Sequence, residues 1–308
     1  MKFNWSVKDI EPQRGKRFFI TGANSGIGYH TSVELARRGA TVVLACRSPQ
    51  RGAEAIEQLR KAVPGADVEL TQLDLSSLSS VRIAAEQELE RGLPLDVLIN
   101  NAGVMAPPER IETEEGLELQ FHTNVVGHFL LTQKLMPLLE KAESARVVNL
   151  ASIAHKSGRI NFDDLQSENN YHPMRSYSQS KLANLLFTFE LHRRLQNSSV
   201  ISLACHPGVA STNLFLTGEY GFWEKLIRTI ASYAIGLFLN SDFQGAVPTL
   251  FAATSEQAVA GGYYGPQGYK EMRGGNVGDA EVRSQAQSVE DARKLWEICE
   301  QLTGSEFL

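Results

Sequence analysis

Six short apolar runs, rich in β-branched residues, recur along the first two thirds of the chain, at 17–20, 40–45, 68–73, 95–100, 146–151 and 200–205. Each is followed by glycine or small polar residues, and most then lead into a stretch of helical character. Runs that do not alternate apolar with polar suit strands covered on both faces. Their alternation with helices predicts a parallel sheet between two helical layers. In such sheets ligands bind beyond the C-terminal ends of the strands, so the residues that close each run are the ones to read for chemistry. With 308 residues, 43% of them hydrophobic, the chain has ample material for a full core, and 1–308 reads as one domain.

The first run ends in Thr21-Gly22-Ala23-Asn24-Ser25-Gly26-Ile27-Gly28, and the following helix stops at Arg37-Arg38-Gly39, with cations in its last turn and glycine beyond. A glycine turn between strand and helix lets the backbone approach a pyrophosphate held on the first helical N–H groups. The spacing departs from G-x-G-x-x-G, and a tight turn alone would use the same glycines. The second run ends in Cys46-Arg47-Ser48. NAD-binding folds usually place a carboxylate near this position for the ribose 2′-hydroxyl, whereas a cation suits a 2′-phosphate. NADP(H) is therefore favoured over NAD(H), unless Arg47 merely opens the next helix as a solvated residue.

Later strand ends add polar residues in the same place. Asp74, followed by Leu75, either caps a helix beginning near residue 78 or reaches an adenine amino group. The fourth run closes with Asn100-Asn101-Ala102-Gly103, the fifth delivers Ser152 and the sixth His206-Pro207-Gly208. A helix over about 116–141 carries Asn124 in its interior, where an amide competes for backbone hydrogen bonds and so hints at a local task.

Tyr177 and Lys181 stand four residues apart in a run of helical character ending near Leu195, so their side chains share one face. A phenol titrates near 10 and is a poor base at neutral pH. An ammonium held beside it favours the phenolate and makes it a usable acid or base. A solvated lysine beside a half-buried tyrosine has the same spacing, so the pair gains meaning only from its company.

Thr21 to Gly28, Asp74-Leu75, Asn100 to Gly103, Asn124, Ser152, Tyr177 with Lys181, and Pro207-Gly208 followed by Ser211-Thr212 together resemble, in order, the short-chain dehydrogenase/reductase superfamily. Ala45 to Ser48, Asn149 to Ser152 and the stretch up to Tyr177 are similar to its retinol dehydrogenase branch. The resemblance implies a doubly wound Rossmann-type three-layer α/β fold with a parallel sheet of about seven strands. It also implies roles. Tyr177 would exchange a proton with the substrate oxygen, and Lys181 would lower its pKa while bonding the nicotinamide ribose. Ser152 would polarise the carbonyl, and Asn124 would hold a water linking Lys181 to solvent. Thr21, Gly22, Asn24, Ser25, Gly26, Ile27, Gly28, Arg47, Asp74, Leu75, Asn101, Ala102, Gly103, Pro207, Gly208 and Thr212 would contact the cofactor, with Thr212 on the carboxamide.

The segments 153–175 and 213–243 are expected to wall a substrate pocket, and 274–308 to form a C-terminal tail whose helix packs on the domain. The apolar, aromatic-rich 213–243 suits a lid, a membrane-surface contact or core, and points to a lipophilic alcohol, aldehyde or ketone. A cofactor-binding regulatory protein and a reductase of carbon–carbon double bonds are the alternatives. Scattered basic residues and a net charge of -5 speak against nucleic acid. Cys46, Cys205 and Cys299 have neither zinc nor disulfide spacing, and the histidines show no ligand pattern, so no metal is expected. With no transmembrane segment, a cytoplasmic location fits, and a homo-oligomer stays open.

Overall fold

The computed structural model describes residues 1–209 and 240–308. Among these, one eight-stranded sheet has the order β3-β2-β1-β4-β5-β6-β7-β8. Its strands are β1 (Arg17–Thr21), β2 (Thr41–Cys46), β3 (Val68–Gln72), β4 (Val97–Asn100), β5 (Ala145–Leu150), β6 (Val200–Cys205), β7 (Tyr263–Pro266) and β8 (Val277–Asp279). The first seven pair in parallel, and β8 joins β7 antiparallel. The expected parallel sheet thus gains one antiparallel edge strand, from the segment read as tail. Three residues among glycines carry too little pattern to announce a strand.

The sheet alternates as its pleat demands. Phe18, Ile20, Val42 and Leu44 pack into one apolar layer, and Phe19, Val43 and Ala45 into the other. The first layer is completed by α1 (Gly26–Arg37), α2 (Pro49–Ala62) and α6 (Asp242–Thr254), through Leu35, Leu59 and Phe251. The second is completed by α3 (Leu78–Arg91), α4 (Gly127–Leu139), α5 (Pro173–Arg194) and α7 (Val289–Thr303), through Val81, Phe129, Leu185 and Trp296. Trp296 stacks on Phe187 and Phe307, with Phe129 at their edges, and so fastens the C-terminal segment to the helices behind the sheet.

Local chemistry sets the helix ends. Ser48, Ser77 and Ser288 each accept a first-turn N–H at the starts of α2, α3 and α7. Capping of α3 by Ser77 corrects one option for Asp74, whose carboxylate instead accepts from the N–H and hydroxyl of Ser76 at 2.9 and 2.6 Å. The helix expected over 116–141 begins at Leu119 because Gly116, at φ +78°, sits in a turn. Near its start, His122–Val126 is π-helical, with the Gly127 N–H donating to the His122 carbonyl five residues back.

The strand order reverses between β1 and β4, since β2 and β3 lie to one side and β5 to β8 to the other. That reversal opens a crevice beyond the strand ends.

Candidate active site

A cleft of about 1270 Å³ runs along this edge of the sheet. Thr21, Gly22, Asn24, Ser25, Gly26, Ile27 and Gly28 line its first wall, and Asn101, Ala102 and Gly103 its middle. Gly22 takes φ +66°, which carries the chain from strand to helix. At Gly28 a Cβ would lie 2.6 Å from the Asn101 amide nitrogen and 2.7 Å from the Gly22 carbonyl, so any other residue would fill the turn. Ser25, the N-cap of α1, makes no side-chain cap bond, and no acidic residue stands in the first turn. The uncapped N–H groups face the cleft with the positive end of the helix dipole, which suits a pyrophosphate.

The turn is braced from below. The Thr21 hydroxyl accepts from the Asn101 and Ala102 N–H groups, both at 2.9 Å, and lies 2.9 Å from His128 Nε2. His128 Nδ1 lies 3.1 Å from the Asn124 carbonyl and must donate to it. The neutral ring therefore leaves Nε2 to accept the Thr21 hydroxyl proton. Burial lowers the His128 pKa to about 4, which keeps that ring neutral.

At the far end of the cleft lie Ser152, Tyr177 and Lys181. Ser152 lies two residues beyond β5, and α5 brings Tyr177 and Lys181 to one face, where the Lys181 Nζ sits 5.8 Å from the Tyr177 ring centroid. Burial pushes the phenol up to about 12, and a hydrogen bond with Ser152 works against that rise. Lys181 Nζ donates to the Leu150 carbonyl at 2.9 Å, and burial brings its own pKa down to about 8. Asn124 is fully buried beneath the cleft. Its amide donates to the Val104 carbonyl and the Ser180 hydroxyl, and its oxygen accepts from the Val104 N–H.

Arg47, Asp74, Leu75, Pro207 and Gly208 also line the cleft. Arg47 is exposed at the end of β2 and makes no hydrogen bond or ion pair with the described residues. Thr212 and most of 213–243 lie outside the described residues. Among the described residues no helix is long and apolar enough to cross a membrane, and no group of three or more His, Cys, Asp or Glu side chains could hold a metal ion.

Residues 16–218 match the family model for short chain dehydrogenases. The chain belongs to that family. As a short-chain dehydrogenase it is an NAD(P)-dependent oxidoreductase, and its relatives put it in the retinol dehydrogenase-like branch. It is 39% identical to human retinol dehydrogenase 14 over 94% of this chain and 87% of that protein. It is 40% identical to human retinol dehydrogenase 13 over 95% and 86%. A crystal structure of an uncharacterised protein from Mycobacterium paratuberculosis superposes with a TM-score of 0.79 at 39% identity, covering 99% of this chain and all of that one.

The dehydrogenase cleft includes residues that the sequence did not single out. Arg51, exposed in the first turn of α2, joins Arg47 at the β2 end. Met105, Leu119 and Thr123 join Met174 and Ile153 around the Ser152–Tyr177 end. Position in the first turn after a strand-end cation could have flagged Arg51. Met105 and Leu119 carry no chemical signal and come to the cleft only through the fold.

Proposed function

We propose that this short-chain dehydrogenase reduces lipophilic aldehydes or ketones, or oxidises the matching alcohols, with NADP(H), and that residues 1–308 act as one catalytic domain. One observation carries the reading: the buried phenol of Tyr177 and the Ser152 hydroxyl share the cleft with the uncapped start of α1.

The glycine turn, the first N–H groups of α1, Asn101 to Gly103, Pro207-Gly208 and Lys181 would hold the dinucleotide, with Asp74 and Leu75 toward its adenine and Thr212 toward its carboxamide. The bound cofactor supplies hydride. Ser152 donates a hydrogen bond to the substrate oxygen as negative charge gathers on it. Tyr177, held protonated by burial, transfers its proton from Oη to that oxygen, because an alkoxide is a stronger base than a phenolate. Lys181 stabilises the phenolate left behind, and Asn124 holds Val104 and α5 in register beneath it.

Arg47, and with it Arg51, supports NADP(H), since no carboxylate stands at the end of β2 to receive a ribose 2′-hydroxyl. The methionine and aliphatic lining at the Ser152 end and the retinol dehydrogenase relatives support a lipophilic substrate.

Tyr177→Phe tests the reading in an assay of NADPH oxidation with aliphatic, aromatic and isoprenoid aldehydes. The expected result is a loss of about 10²–10⁴-fold in kcat with NADPH affinity kept. Wild-type turnover in the variant would remove Tyr177 from the mechanism, and NADPH binding without turnover in the wild type would favour a regulatory role.

A further inference from the structure

Beside the catalytic end of the cleft lies a cluster of ionisable groups that the proposed chemistry does not use. Lys156 Nζ donates to Glu271 Oε2 at 2.8 Å and to Glu281 Oε2 at 2.9 Å. Glu271 Oε1 accepts the Glu281 N–H at 2.8 Å, and its Oε2 faces His206 Nε2 at 3.6 Å. His206 is fully buried, and its Nδ1 accepts the Gly208 N–H at 3.1 Å. With Nδ1 accepting, the proton of the neutral ring sits on Nε2 and points toward the glutamate.

Both ends of this chain of contacts lead to residues that line the cleft. Lys156 belongs to the 3₁₀ turn Ile153–Ser157 that directly follows Ser152, and Gly208 with Pro207 forms the turn after β6. Three further features mark Glu271 as more than a surface carboxylate. Lys270 and Glu271 are both in the left-handed region, at φ +48° and +59°, a costly pairing that persists only where the surroundings hold it. The Val209 N–H donates to the Met272 carbonyl at 2.7 Å, and that same carbonyl lies where a Cβ on Gly208 would go. Burial raises the Glu271 carboxyl, but the Lys156 ammonium, the Glu281 N–H and the nearby His206 ring, whose Nε2 makes no hydrogen bond at 3.6 Å, outweigh this and bring its pKa down to about 2.

We propose that Glu271 is a positioning residue whose carboxylate ties the Pro207–Gly208 turn, through His206, to the Ser152 segment, through Lys156, and so fixes the gap between the two walls of the cleft. The proposal rests on reading the cleft as a dinucleotide site whose nicotinamide end lies between those walls. The adenosine end, at Arg47 and Asp74, is lined by other segments.

Glu271→Gln keeps the side chain's size and removes its charge. Two measurements decide the matter on the full chain. Hydrogen exchange should rise about tenfold in peptides covering 152–158 and 204–209, with exchange in the glycine turn unchanged. The dissociation constant for NADPH should rise about tenfold, while that for 2′,5′-ADP, which has no nicotinamide half, should change by less than about twofold. Lys156→Met, at a partly exposed position, serves if the first variant folds poorly, and should loosen 152–158 in the same assay. The double variant should resemble the more severe single one. Unchanged exchange in both peptides would overturn the proposal. So would equal weakening of NADPH and 2′,5′-ADP together with a lower urea midpoint, since a merely structural role gives that pattern. If the wild type binds neither nucleotide, the dinucleotide reading fails, and the exchange comparison still decides whether Glu271 holds the two segments together.

Discussion

Replacing His128 by glutamine should flatten the acid side of the protein's stability curve. The imidazole is buried, with Nδ1 donating to the Asn124 carbonyl and Nε2 accepting the Thr21 hydroxyl. A second ring proton would meet a hydroxyl whose oxygen already accepts two N–H groups. Burial accordingly lowers the pKa from 6.5 to about 4. At about 1.4 kcal/mol for each tenfold in proton affinity, this displacement corresponds to about 3 kcal/mol. Because the folded pKa lies below the unfolded one, the unfolded chain takes up the proton first. Stability is then fully present above about pH 6.5 and is lost progressively as the pH falls toward about 4. Urea midpoints measured from about pH 7.5 to 4.5 should show the wild type losing about 2.5 kcal/mol more than His128→Gln over that range. The variant itself should cost about 1 kcal/mol at neutral pH. It keeps a shallower slope, because burial also lowers the pKa of His122, His155 and His206. Parallel curves for the two proteins would refute the assignment of the neutral, doubly bonded ring.

Three other substitutions probe separate parts of the structure. Arg47→Asp should move the ratio of NADPH to NADH efficiency by about tenfold or more toward NADH, and an unchanged ratio of kcat/KM values would discard the contact. Gly28→Ala forces a Cβ against the Asn101 amide and the Gly22 carbonyl. It should lower stability by about 1–3 kcal/mol and weaken dinucleotide binding, as read by urea unfolding and fluorescence titration. Trp296→Ala empties the centre of the cluster formed with Phe129, Phe187 and Phe307, and Arg194 packs over the indole at 4.2 Å. A loss of about 3–5 kcal/mol is expected, and a Tm within a few degrees of wild type would show that the C-terminal helix contributes little.

Much of this fold can be read from the chain because parallel strands are buried on both faces and so appear as unbroken apolar runs. The six runs up to Cys205 correspond to β1 through β6, and the strand-end residues among them, from Gly22 to Ser152, meet in the cleft. What escaped has physical causes. Val277–Asp279 is too short and too glycine-rich to announce a strand, and it pairs only because β7 offers an open edge. Met105 and Leu119 look like any core residues until the fold turns them toward the Ser152 end. The burial that raises the phenol of Tyr177 depends on residues from the whole chain, which spacing along one helix does not reveal.

The π-helical turn at His122–Val126 holds one residue more than an α-helix would need there. Everything on α4 is thereby phased against what precedes it, including the register in which His128 meets Thr21. Losing a single residue from this turn would restore regular winding and swing the downstream side chains by about 100°. His128 would leave the glycine turn and apolar Phe129 would leave its aromatic neighbours. The length of this stretch is thus under constraint, as is Asn124 within it, and alignments across the branch should show few single-residue gaps here.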